Sequence, residues 1–182
     1  MNDSISVLVT FASAQGSTKE VATFIADRLR TRGFEVDLRP VGEQPDAQPY
    51  DAVVIGSAVH NMAWLPGAAD YLYRHRYVLA GRAVWLFSVG LSPALQGPIG
   101  HLLKQSVPKQ ISDLLNVVSA RSYTVFAGVY RRADTTRLTR AIYRLIGGRR
   151  YGDLRDWRAI ERWTDQIAIA LGATEIPAPA SR

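Results

Sequence analysis

The residues best able to do chemistry form one short polar stretch, Ser13-Ala14-Gln15-Gly16-Ser17-Thr18. It follows an apolar, β-branched run (residues 5–11) and opens directly into a helical pattern. Backbone N–H groups at such a turn, with the hydroxyls of Ser13, Ser17 and Thr18, can surround a phosphate at a helix N-terminus, where the helix dipole favours an anion. The same residues read equally well as a capping box, with Ser17 as N-cap and Glu20 three positions on. Both readings stand at this level. Other catalytic patterns are absent. There is no G-x-x-x-x-G-K-[ST], no G-x-G-x-x-G after the first strand and no G-x-S-x-G nucleophile elbow. The third strand ends in Gly56-Ser57-Ala58, where a phospho-receiver would carry a carboxylate. His75 and His101 have no partner at ligand spacing, so no metal site is expected. No side chain stands out as a catalytic base.

A second chemical feature is charge. The 182 residues include 22 basic and 16 acidic side chains, for a net charge of +6. Residues 121–162 hold 11 arginines against 4 acids, or +7, and the remainder carries −1. Within that segment, residues 137–146 are amphipathic. Leu138, Ala141, Ile142, Leu145 and Ile146 recur at helical spacing, and Arg137, Arg140 and Arg144 line the other face. Such a segment suits an anionic partner. It can be an interfacial helix with its arginines at lipid headgroups, a lid whose arginines pair with substrate carboxylates, or a surface helix with solvated arginines. Nucleic acid is not expected, because few stacking aromatics beyond Tyr130, Tyr143 and Tyr151 are interleaved with the arginines.

Strands and helices alternate around these features. Strand patterns cover residues 5–11, 35–39, 52–56, 83–88 and 122–129; helical patterns cover 17–32, 66–76 and 157–171. Alternation of this kind predicts an α/β fold, a doubly wound five-stranded parallel sheet in the flavodoxin-like order 2-1-3-4-5. Ligands of such sheets sit beyond the carboxyl ends of the strands. One domain is expected over residues 1–174, with a basic helical insertion at 130–156 and a flexible tail at 175–182. The chain has no cysteine, which excludes disulfides, thiolate metal sites and cysteine nucleophiles and fits a reducing cytoplasm. The sequence shows neither a leader pattern nor an apolar run near the ~20 residues of a membrane span.

On these residues the sequence resembles the flavodoxin family. Residues 13–18 look like its phosphate loop for flavin mononucleotide (FMN), although Gln15 and Ser17 stand where Thr and Asn are usual. The resemblance implies that two further segments flank the isoalloxazine ring. One is Ser57, Ala58, Val59 and His60 with Trp64, after the third strand; the other is Ser88, Val89, Gly90 and Leu91, after the fourth. The usual aromatic after the fourth strand is missing, so Trp64 or His60 is expected to cover a ring face. The Gly56-Ser57-Ala58 loop, the Ser88-Val89 strand end and the basic segment ending near Gly147-Gly148 are similar to the menaquinone-dependent protoporphyrinogen oxidase branch. That similarity implies an FMN-dependent oxidoreductase acting on a small redox substrate with anionic groups, such as porphyrinogen propionates. A quinone at the inner face of the membrane is the implied acceptor. A deazaflavin (F420) in place of FMN, and a non-catalytic tethering module, remain alternatives. The basic charge argues against an acidic one-electron shuttle.

Overall fold

The computed structural model describes residues 4–132 and 137–173. Five parallel strands make the main sheet: β1 (Ser6–Ala12), β2 (Glu35–Pro40), β3 (Ala52–His60), β5 (Ala83–Gly90) and β6 (Ser122–Ala127). A short β4 (Ala63–Trp64) turns back antiparallel on β3. The order β2-β1-β3-β5-β6 is the expected doubly wound arrangement, with β4 lying off the main path and the switch point between β1 and β3. β1, β3 and β5 are buried along most of their length, which is why they read as continuous apolar runs. β2 alternates between exposed and half-buried because it forms the edge.

Each face of the sheet has its own core. On one side α1 (Ser17–Thr31) and α7 (Trp157–Ala170) bury Val21, Ile25, Leu29, Ile160, Trp163 and Ile167 against Val7, Val9, Phe11 and Phe87. On the other, α2 (Pro66–Arg74), α3 (Arg76–Ala80) and α5 (Lys109–Val118) bury Leu72, Leu79, Ile111, Leu114 and Val118 against Leu8, Val53, Ile55 and Leu86. The helical pattern at 66–76 is thus two helices, broken at His75. A further helix, α4 (Gly97–Gln105), precedes α5. Gly56 is a space-filling requirement. A Cβ there would overlap the Phe87 ring, which packs with Phe126 and Trp163.

The last strand of the main sheet ends earlier than its pattern suggests. At Gly128 the chain leaves the sheet, and Leu154 returns to it by donating its N–H to the Gly128 carbonyl at 3.2 Å. Between them, β7 (Val129–Tyr130) pairs antiparallel with β8 (Gly152–Asp153), and α6 (Arg137–Leu145) lies in the excursion. Tyr130, Tyr143 and Tyr151 pack on one another with ring centroids 4.5 to 5.6 Å apart. Tyr143 is the buried anchor of α6, and its hydroxyl donates to the Arg150 carbonyl at 2.7 Å. Ala141 and Leu145, two members of the apolar stripe, instead face outward, with Leu145 75% exposed. Ile146, a third member, is half-buried and lines a cavity beside the sheet, while the buried anchor Tyr143 is an aromatic outside the stripe. The tail at 175–182 lies outside the described residues. Among the described residues, no helix is long and apolar enough to cross a membrane.

Candidate functional site

The loop between β1 and α1 has the form an anion site needs. Gly16 is the N-cap of α1, at φ +93°, a left-handed conformation that glycine adopts without the Cβ penalty. Ser13 Oγ accepts the Gly16 N–H at 3.0 Å and tightens the turn. No side chain caps the helix. The capping-box expectation therefore fails: Ser17 is already helical, and the Glu20 carboxylate turns away to Arg155, 2.5 Å distant. The first amides of α1 remain available to a ligand. Thr18 Oγ1, fully buried in the first turn, has no hydrogen-bond partner among the described residues. A buried hydroxyl left in this way costs ~1–3 kcal/mol, and an acceptor beside it removes that cost. Gln15, Ser17, Glu20 and Val129 line a cavity of about 260 Å³ here together with Arg131. In the sequence Arg131 is one arginine of the general basic segment. Its approach to the loop follows from the chain's exit at Gly128, which the strand pattern hid.

Arg155 ties this corner together. Its side chain is only 7% exposed, pairs with Glu20 and, at 2.6 Å, with Asp153, and stacks over Trp157. The guanidinium hydrogen bond to Asp153 holds that carboxyl below the usual aspartate range, and the same pair, opposed in part by burial, raises the Arg155 pKa.

The second part of the site lies across the sheet. β3 and β4 are joined by Asn61 and Met62, at φ +50° and +64°, the pair of left-handed residues a tight hairpin demands. Ser57 fixes this hairpin, its Oγ accepting the Leu65 N–H and donating to the Ala58 carbonyl. Opposite stand Gly90, Leu91 and a single 3₁₀ turn, Ser92–Ala94. Gln96 N–H bonds the Gly147 carbonyl at 2.8 Å, so the end of the α6 excursion holds this loop in place. Between the two loops a largely apolar cavity of about 260 Å³ reaches inward, lined by Val59, Met62, Leu91, Ile111, Tyr123 and Ile146 among others.

The expected site residues divide accordingly. Ser13 to Thr18 gather at the β1–α1 turn, and Val59, Gly90 and Leu91 line the second cavity, whereas Ala58 and His60, at the end of β3, are not part of its lining. Ser57 and Ser88 are fully buried and Val89 nearly so, and none of the three lines the second cavity. Trp64 does not cover a ring face. It is 2% exposed, packed in the core beneath α2 and α5, and its Nε1 donates to Ser88 Oγ at 2.7 Å. Met62, 59% exposed, sits at the hairpin tip and lines the second cavity. Arg140 and Arg144 line a separate shallow pocket with Arg132 and Ala141. The Arg137 side chain lies outside the described residues. No His, Asp or Glu grouping among the described residues could hold a metal.

A fold of this order, with a polar, glycine-bearing turn after β1, defines a flavodoxin-like protein. The family model of the flavodoxin domain matches residues 8–153, and the chain belongs to that family. Among curated proteins, the protoporphyrinogen IX dehydrogenase [quinone] of Escherichia coli strain K12 is 28% identical over 86 residues, 46% of this chain and 48% of that protein. The match thus spans about half the length of this relative. Among solved structures, a flavodoxin from the domain Archaea superposes with a TM-score of 0.58 at 12% identity, over 92% of this chain and 99% of that one. The rubredoxin oxygen:oxidoreductase of Desulfovibrio gigas gives 0.59 at 17% identity, over 91% of this chain and 36% of that one. These two likenesses concern the fold.

Proposed function

We propose that the protein binds FMN and is an oxidoreductase that passes electrons from a small anionic substrate, of the porphyrinogen kind, to a quinone. The observation that carries the cofactor reading is the buried, partnerless Thr18 hydroxyl beside an uncapped α1 N-terminus behind Gly16. The amides of residues 16–19, the Thr18 hydroxyl and Arg131 would hold the phosphate. Met62 and Leu91 would wall the ring, and the backbone amides at Gly90 and Leu91 would stabilise charge on it. Bound flavin supplies the capacity to accept and release electrons; the protein supplies placement, exclusion of water and local electrostatics. The partial match to protoporphyrinogen IX dehydrogenase supports the substrate and acceptor classes.

The direct test is titration of the purified chain with FMN, riboflavin and F420. FMN is expected to bind most tightly. Thr18→Val should weaken FMN about tenfold or more, the worth of a hydrogen bond to a charged group, and leave riboflavin unchanged. Exclusive uptake of F420 would replace FMN by the deazaflavin reading, and uptake of neither would remove both.

The exposed Leu145 beside Arg144 favours a membrane-surface role for α6 within the same function. Sedimentation with anionic vesicles should fall when Arg137, Arg140 and Arg144 are changed to Glu. Unchanged pelleting would dismiss the membrane role and leave solvent or substrate as what those arginines meet.

A further inference from the structure

Three side chains form a polarised chain that ends in the apolar cavity. Trp64 Nε1 donates to Ser88 Oγ at 2.7 Å, and Ser88 Oγ lies 2.9 Å from the Tyr123 hydroxyl. An indole N–H can only donate, so Ser88 accepts at that bond. Ser88 is fully buried, and the Tyr123 oxygen is the one acceptor its own proton has among the described residues. Were Tyr123 to donate to Ser88 instead, the serine proton would be buried without a partner, at a cost that decides the direction. The order is therefore Trp64 to Ser88 to Tyr123, each bond strengthening the next. The Tyr123 proton is left without an acceptor among the described residues, on a side chain that lines the cavity. The rest of the lining is mostly aliphatic: Val59, Leu91, Leu95, Ile111, Val125 and Ile146.

We infer that Tyr123 donates a hydrogen bond to a carbonyl oxygen of an apolar ligand seated in this cavity, with ring ketones and quinones the fitting class. Burial raises the Tyr123 pKa, against a smaller opposing effect of its bond to Ser88, so the phenol keeps its proton at neutral pH. The inference rests on the proposed function in one respect: the carbonyl can belong either to the quinone acceptor or to the flavin ring itself.

The test compares the full-length wild type with Tyr123→Phe, which deletes the donor and keeps the ring. Calorimetric titrations use menadione, naphthalene as a similar bicycle without oxygen, and FMN. Menadione affinity is expected to fall about five- to tenfold in the variant, with naphthalene unchanged. A loss in FMN affinity instead assigns the carbonyl to the flavin and retains the donor role of Tyr123. Equal loss for menadione and naphthalene, or no loss for menadione and FMN alike, overturns the inference. Failure of both proteins to take up FMN would defeat the cofactor reading while leaving the menadione–naphthalene comparison to decide on Tyr123. Ser88→Ala provides a second variant: it retains the phenol but removes the bond that orients it, and should weaken menadione less than Tyr123→Phe does.

Discussion

Gly147→Ala should release the α6 excursion from the ring loop without unfolding the body. Gly147 sits at φ +97°, and a Cβ there would fall on the Gln96 carbonyl oxygen and lie 2.8 Å from its carbon. Both contacts are backbone, so no side chain can swing away. An alanine held at this positive φ costs ~1–2 kcal/mol. Moving it away breaks the Gln96–Gly147 hydrogen bond, for about 1 kcal/mol more. Together these favour opening of the segment by ~2–3 kcal/mol, or roughly 30- to 150-fold in the opening equilibrium. Neither core cluster contains a residue of the excursion between Gly128 and Leu154, so the sheet and its helices should stay folded. Limited proteolysis with trypsin reads the opening, because the exposed Arg149 and Arg150 follow the double glycine directly. With cleavage slower than reclosing, its rate tracks the open population. The variant should be cut within the excursion about 30- to 150-fold faster at nearly unchanged melting temperature. Cleavage within about threefold of wild type would refute the reasoning, as would a collapse of the whole molecule in step with the cleavage.

Three other outcomes follow from the packing and charge. Gly56→Ala should destabilise the whole molecule by ~1–3 kcal/mol through the Phe87 clash, seen as a lower denaturant midpoint at an unchanged slope; an unchanged midpoint would show that the ring can move aside. Asp156 caps α7 by accepting the Ala159 N–H at 3.0 Å, and Asp156→Ala should cost about 1 kcal/mol in the same assay; no loss would mean that water or a neighbour replaces the cap. Asp153, hydrogen-bonded to Arg155, and Asp51, bonded to the backbone and hydroxyl of Ser6, both have pKa values lowered from 3.8. Their stabilisation is present above that value and is lost as pH falls through the lowered ones. Asp153→Asn should therefore flatten the acid limb of susceptibility to pepsin, which is active in this range, within the excursion, and an acid limb identical to wild type would contradict this.

The sheet and the β1–α1 turn are legible because burial on both faces writes β1, β3 and β5 as apolar runs, and the turn is polar and glycine-bearing. What stayed hidden depends on long-range partners. The capping-box pattern at Ser17 and Glu20 misleads because Gly16 takes the cap and Arg155, 135 residues away, takes the carboxylate. Trp64 looks like a ring cover beside a loop, yet its indole finds Ser88 on a neighbouring strand. α4 carries two glycines and a proline, so its sequence gives little helical signal. α5 does carry a readable stripe in Ile111, Leu114 and Val118. Tyr143 anchors α6 through two other tyrosines that no helical period includes.

The most direct measurement is paired titration of the flavin-free protein with FMN and riboflavin, followed by flavin fluorescence. The two ligands differ by the phosphate alone, which is the group proposed to sit at the β1–α1 turn. The account predicts one FMN per chain, bound roughly a hundredfold or more tightly than riboflavin, the worth of two or so charge-assisted hydrogen bonds. Equal affinity for the two, or binding of neither, would contradict it.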